Sequence, residues 1–117
     1  MDFYREEFYN LFMYNFVFIY ITNPSKEEAR KIAKHLLDKK LIACANIYSG
    51  INSLYPWKGE IADEEEIILV AKTTKANFEK VKSEVEKMHS YTIPCIVKIP
   101  VSSNKKYFEW LKSGIKE

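Results

Sequence analysis

The chain has 117 residues, with 18 basic and 16 acidic side chains giving a formal charge of +2, and is 47% hydrophobic and 29% charged. This is the composition of a folded globular chain rather than a disordered one, and its length suits a single domain. The near balance of charge excludes the strong basic footprint of a nucleic-acid binder. With only 3 glycines and neither GxGxxG nor GxxxxGK[ST], a phosphate-cradling glycine loop is excluded as well.

The first apolar stretch, Leu11 to Ile21, is interrupted only by Asn15 and preceded by Asp2, Glu6 and Glu7. It lacks the basic flank and small-residue cleavage site of a signal peptide and falls well short of the ~20 residues that span a bilayer. It reads as a strand, and no membrane partner is expected. Met13 opens a segment that could itself begin translation, so residues 1–12 read as an N-terminal extension and residues 13–117 as one domain. Cys44 and Cys95 form no CxxC pair and are too sparse for a disulfide scaffold, which points to reduced thiols in a cytoplasmic protein.

Phe16 to Thr22 is aromatic and β-branched without alternation, the pattern of a strand covered on both faces. Asn23-Pro24 ends it, and Ser25 with Glu28 has capping-box spacing. Ala29, Ile32, Ala33, Leu36 and Leu37 then form one helical stripe. Leu41 to Tyr48 reads as the second strand, broken by Ser49-Gly50. Asn52 to Trp57 is extended, Lys58-Gly59 turns the chain, and Glu60 to Thr74 returns, with Asp63 to Glu66 read as a solvated acidic run. Thr74 is placed to cap a second helix whose stripe is Phe78, Val81, Val85 and Met88. Ile93 to Val101 forms the last strand, and its prolines Pro94 and Pro100 suit a sheet edge. Asn104 opens a terminal helix with Tyr107, Phe108, Leu111 and Ile115 on one face.

The order β-α-β-β-α-β plus a C-terminal helix predicts an α+β, ferredoxin-like split βαβ sandwich, with both main helices on one side of the sheet. The other side should then be polar in a monomer. Runs such as Ile67 to Ala71 leave it apolar instead, which predicts self-association through that face.

Several segments together resemble one family: Leu41-Ile42-Ala43-Cys44-Ala45-Asn46-Ile47, Ser53-Leu54-Tyr55-Pro56-Trp57-Lys58-Gly59, Glu66 through Thr73, His89-Ser90-Tyr91-Thr92-Ile93-Pro94, and Tyr107-Phe108-Glu109-Trp110. Their order and spacing, from about Phe16 to about Ile115, resemble the CutA family of divalent-ion tolerance proteins. The resemblance implies a ferredoxin-like subunit, a homotrimer with sheets meeting edge to edge, a link to tolerance of copper and other divalent cations, and no catalytic reaction. It also implies a copper site built from a first-strand cysteine and two adjacent histidines. Here those positions are Ile21, Met88 and His89, and Cys95 stands where a glutamate is common.

Candidate metal ligands are therefore His89, in the loop after the second helix, and Cys44; the cation considered is Cu(II) or another divalent ion, which folding does not require. Helix capping is the structural alternative for His89, and a small buried thiol that for Cys44. Lys72, Tyr91 and Trp57 are candidates to line an inter-subunit cleft for a small anionic effector, or else to be interface residues. No nucleophile–base pairing is evident, so no enzymatic activity is expected. The alternative function is a structural or signalling trimer resembling PII proteins, with no metal role.

Overall fold

The computed structural model describes residues 14–117. The segment 1–12 set apart above lies outside the described residues. The elements are β1 (Asn15–Asn23), α1 (Lys26–Asp38), β2 (Cys44–Trp57), β3 (Glu60–Thr73), a 3-10 turn (Lys75–Asn77), α2 (Phe78–Met88), β4 (Ile96–Ser102) and α3 (Lys105–Ser113). They build one four-stranded antiparallel sheet in the order β2-β3-β1-β4. This is the predicted split βαβ topology.

Side chains alternate across a strand, and this sorts β1. Val17, Ile19 and Ile21 enter the core with Ile32 and Leu36 of α1, Leu69 and Ala71 of β3, and Val81 and Val85 of α2. Each fully buried Leu or Ile contributes about 1.5–3 kcal/mol, so this layer supplies most of the subunit's own stability. Phe16, Phe18 and Tyr20 point to the opposite face. There α3 covers one end, with Tyr107 and Phe108 against Phe16. The far face is thus partly covered, which the sequence reading did not anticipate. The remainder is open and apolar: Val97 of β4 is 46% exposed, and Ile99 and Tyr48 are similarly uncovered.

Several local expectations are corrected. Ser49-Gly50 does not break β2; an extra residue is absorbed between Tyr48 and Ile51, and Gly50 takes a φ of 78° that suits glycine. The strand begins at Cys44 rather than Leu41. β4 begins at Ile96, leaving Ile93 in a loop and 77% exposed, while Pro100 does lie in an edge strand. Thr74 makes no side-chain cap, because the 3-10 turn separates it from α2. Ser25 does cap α1, accepting from the Glu28 amide at 3.1 Å. Glu28 does not reciprocate; its carboxylate faces His89 at 3.6 Å.

The pairing of β3 with β1 stops at Ile67, whereas its pairing with β2 continues to Glu60. Residues 51–66 therefore project as a two-stranded arm beyond the sheet. Leu54 and Ile61 on this arm are 65% and 78% exposed.

Candidate functional site

The bulge in β2 decides what the base of the arm can hold. Because one extra residue lies between Tyr48 and Ile51, the strand's face assignment flips from even to odd numbers. Tyr55 and Trp57 are thereby brought to the same face as Glu64 and Glu66, which alternate along β3. The α2–β4 loop closes the other side with Tyr91, Thr92 and Cys95. Together with Thr22 these residues line a groove of about 520 Å³.

His89 fixes the loop. Its Nε2–H donates to the Thr22 carbonyl at 2.7 Å, and its Nδ1 accepts from the Tyr91 amide at 3.1 Å. This is a neutral tautomer with both ring nitrogens in use. The His89 amide also closes α2 by donating to the Val85 carbonyl. Tyr91 is held with its ring 4.8 Å from the imidazole and its hydroxyl donating to Glu66 Oε2 at 2.7 Å. Tyr55 donates likewise to Glu64 Oε1 at 3.0 Å.

The groove is electrostatically one-sided. Burial, then the hydrogen bond to Glu66, pushes the Tyr91 phenol well above its ordinary range. The hydrogen bond to Glu64 raises Tyr55. Burial, with the Glu66 charge behind it, raises the Cys95 thiol and so disfavours its thiolate. Glu66 itself is only 7% exposed. Glu64 and Glu66, expected to lie in a solvated acidic run, instead line the groove, and Glu66 is buried there. The signal was there in the i, i+2 spacing of the two glutamates, which puts both on one face of a strand.

The structure separates the sequence candidates. Cys44 pairs with Lys72, whereas Thr22, the His89 partner, pairs with Ile68. Those β3 positions are four residues apart, or about 13 Å along the strand. His89 and Cys44 therefore cannot ligate one ion within a subunit. Lys72 is likewise apart from Tyr91 and Trp57: its Nζ donates to the Tyr107 hydroxyl at 3.2 Å and lies 5.4 Å from the ring centroids of both Phe18 and Tyr107. Ile21 is a core residue, facing the helices. Among the described residues no cluster of three or more His, Cys, Asp and Glu side chains is disposed to hold a metal ion. With the His89 nitrogens committed and the Cys44 thiol distant, the intrasubunit donor set does not fit a copper ion.

A second, more open hollow of about 630 Å³ lies by Lys39 and Glu84 between α1 and α2. Its carboxylate is already shared among Lys39, His35 and Lys87.

The subunit is of the ferredoxin-like α+β class, with a projecting arm, an open apolar face and an acidic aromatic groove. The family profile described as CutA1 divalent ion tolerance protein matches residues 17–114. The divalent-cation tolerance protein CutA of Thermus thermophilus is 44% identical over 97 residues, 82% of this chain and 94% of that protein. The Archaeoglobus fulgidus protein is 46% identical, and its structure, called periplasmic, superposes with a TM-score of 0.83 over 89% of this chain and 100% of that one. Rice CutA1 gives 0.85 at 33% identity, covering 89% of this chain and 95% of that one. The chain belongs to the CutA family of divalent-cation tolerance proteins.

Among the described residues no helix is long and apolar enough to cross a membrane.

Proposed function

We propose that this protein serves divalent-cation tolerance as a homotrimeric binding protein rather than as an enzyme, with its ligand sites at the junctions between subunits. The projecting arm carries this reading. A two-stranded ribbon is marginal by itself in water, and here it also presents Leu54 and Ile61 to solvent beside an uncovered apolar sheet face. Neighbouring copies would shield both. Lys72 would be a candidate to meet a small anionic effector at such a junction, and a copper or other divalent-cation site would draw donors from more than one chain. Cys44 and Cys95 are unpaired thiols, in keeping with a reducing, cytoplasmic compartment.

A second reading is a PII-like structural or signalling trimer with no metal role, favoured by the full engagement of both His89 nitrogens. Calorimetric titration of chelator-treated protein with Cu(II), Zn(II) and ATP separates the two. Saturable Cu(II) binding at a fixed ratio per three chains supports the cation reading. ATP binding that is lost in Lys72→Ala supports an anionic effector. Absence of saturable binding by all three leaves the scaffold.

A further inference from the structure

The groove at the base of the arm has a chemistry that neither a metal site nor an anion site explains. Its charged lining is Glu64 and Glu66 alone. Neither carboxylate forms an ion pair with a Lys, Arg or His among the described residues, although lysines pair with carboxylates at four places elsewhere. Glu66 is more than nine-tenths withdrawn from water. Its Oε2 takes the Tyr91 hydroxyl, while Oε1 has no protein donor among the described residues and is not among the polar atoms sealed off from solvent. Glu66 thus keeps one oxygen open to the groove with no cationic side chain beside it among the described residues.

The walls narrow the choice of counter-ion. Tyr55, Trp57 and Tyr91 present aromatic surface around the two carboxylates, with Tyr55 and Trp57 edge to face at 6.4 Å between centroids. Both phenolic protons are already donated to the glutamates, so the hydroxyl oxygens can only accept from a ligand. The groove thus offers acceptors and π-faces, and no cationic donor. A small hydrated divalent ion needs several oxygen ligands and gains nothing from aromatic walls. An alkylammonium gains from both, because its N–H groups suit the carboxylate and its carbons suit the rings. The volume lies in the range of small-molecule sites. Lys58 already lies 5.9 Å from the Trp57 ring centroid, from outside the lining, so the charged head belongs at Glu66 rather than over the indole.

We propose that the groove between the arm and the α2–β4 loop binds a small organic ammonium ion, with its cationic head at Glu66 and Glu64 and its alkyl body against Tyr55 and Trp57. The proposal stands on the groove alone and holds for either reading of the protein's wider function.

The test uses the fluorescence of Trp57 in a Trp110→Phe background, titrated with n-butylammonium chloride at constant ionic strength. n-Pentanol, one carbon longer, serves as the neutral alkyl control, and MgCl2 and NaCl as competitors. A saturable change with butylammonium is expected, absent with n-pentanol, and displaced no better by MgCl2 than by NaCl at equal ionic strength. Glu66→Gln should weaken binding at least tenfold. Should Glu66→Gln fail to fold, Glu64→Gln decides, with at least a threefold loss expected. A non-saturating response, equal binding of n-pentanol, or unchanged affinity in the deciding variant overturns the proposal. Preferential displacement by MgCl2 overturns it in favour of a metal.

Discussion

The Tyr91 hydroxyl donates to Glu66 at 2.7 Å, joining the α2–β4 loop to β3 through a carboxylate that is only 7% exposed. Hydrogen bonds to charged groups contribute more than neutral ones, about 1.5–3 kcal/mol where water is excluded. The groove admits some water here, which places the effect near the lower limit. Tyr91→Phe should therefore destabilise the fold by about 1–2 kcal/mol in urea denaturation. In the Glu66→Gln background the same substitution should matter less, a coupling that a double-mutant cycle reads directly. An additive pair would show that the bond contributes nothing net.

His89 serves as a latch. It holds Thr22 at the end of β1 and the Tyr91 amide together, and its buried ring packs on Tyr91. Removing the imidazole leaves a buried carbonyl and a loop amide without partners. His89→Ala should cost about 2–3 kcal/mol. It should also free the Tyr91 phenol to ionise closer to its ordinary range, as followed by ultraviolet absorbance in alkaline titration. An unchanged phenol titration would show that Tyr91 does not depend on the latch.

The contrast between His89 and the groove marks what a sequence can disclose. The stripes Ile32, Leu36 and Val81, Val85, and the Ser25 cap, follow from local spacing, and so the helices and topology were legible. The far-face character of β1 was legible too, since Phe16 to Ile21 is apolar at every position. The groove was not, because its composition turns on one extra residue in β2. Read without that bulge, Tyr55 and Trp57 fall on the opposite face from Glu64 and Glu66. The His89 role was hidden for a different reason: its partner Thr22 is 67 positions away along the chain. No local rule reports a bond of that span.

Glu84 ties the two main helices together, meeting Lys39 at 2.8 Å, His35 at 3.1 Å and Lys87 at 3.2 Å. Lys39 first, then His35 and Lys87, hold its carboxyl at about 2, below the ordinary 4.5. A depressed folded-state value means that the contribution is present above the unfolded value and is lost as pH falls through the folded one. The difference in stability between the natural protein and Glu84→Gln should thus be full at neutral pH, decline below about 4.5, and be largely gone near 2. Denaturant midpoints of both proteins across that window check it. A difference that stays constant to the acid limit would exclude the linkage.

Self-association can be tested at Val97, which sits on the open sheet face as a cross-strand neighbour of Tyr20. In a monomer, an exposed Val→Lys change on an edge strand alters stability little and favours solubility. In an assembly that buries this face, the same change places an ammonium against apolar surface in every copy, without a counter-charge supplied by Tyr20 or Val70. Val97→Lys should then shift the light-scattering mass from three chains to one. In such an assembly the melting temperature of the natural protein should fall on dilution, since association would supply part of its stability. That of Val97→Lys should be lower and independent of concentration. A natural protein that scatters as a single chain at micromolar concentration, or a Val97→Lys variant that keeps the larger mass, would remove this face from the assembly.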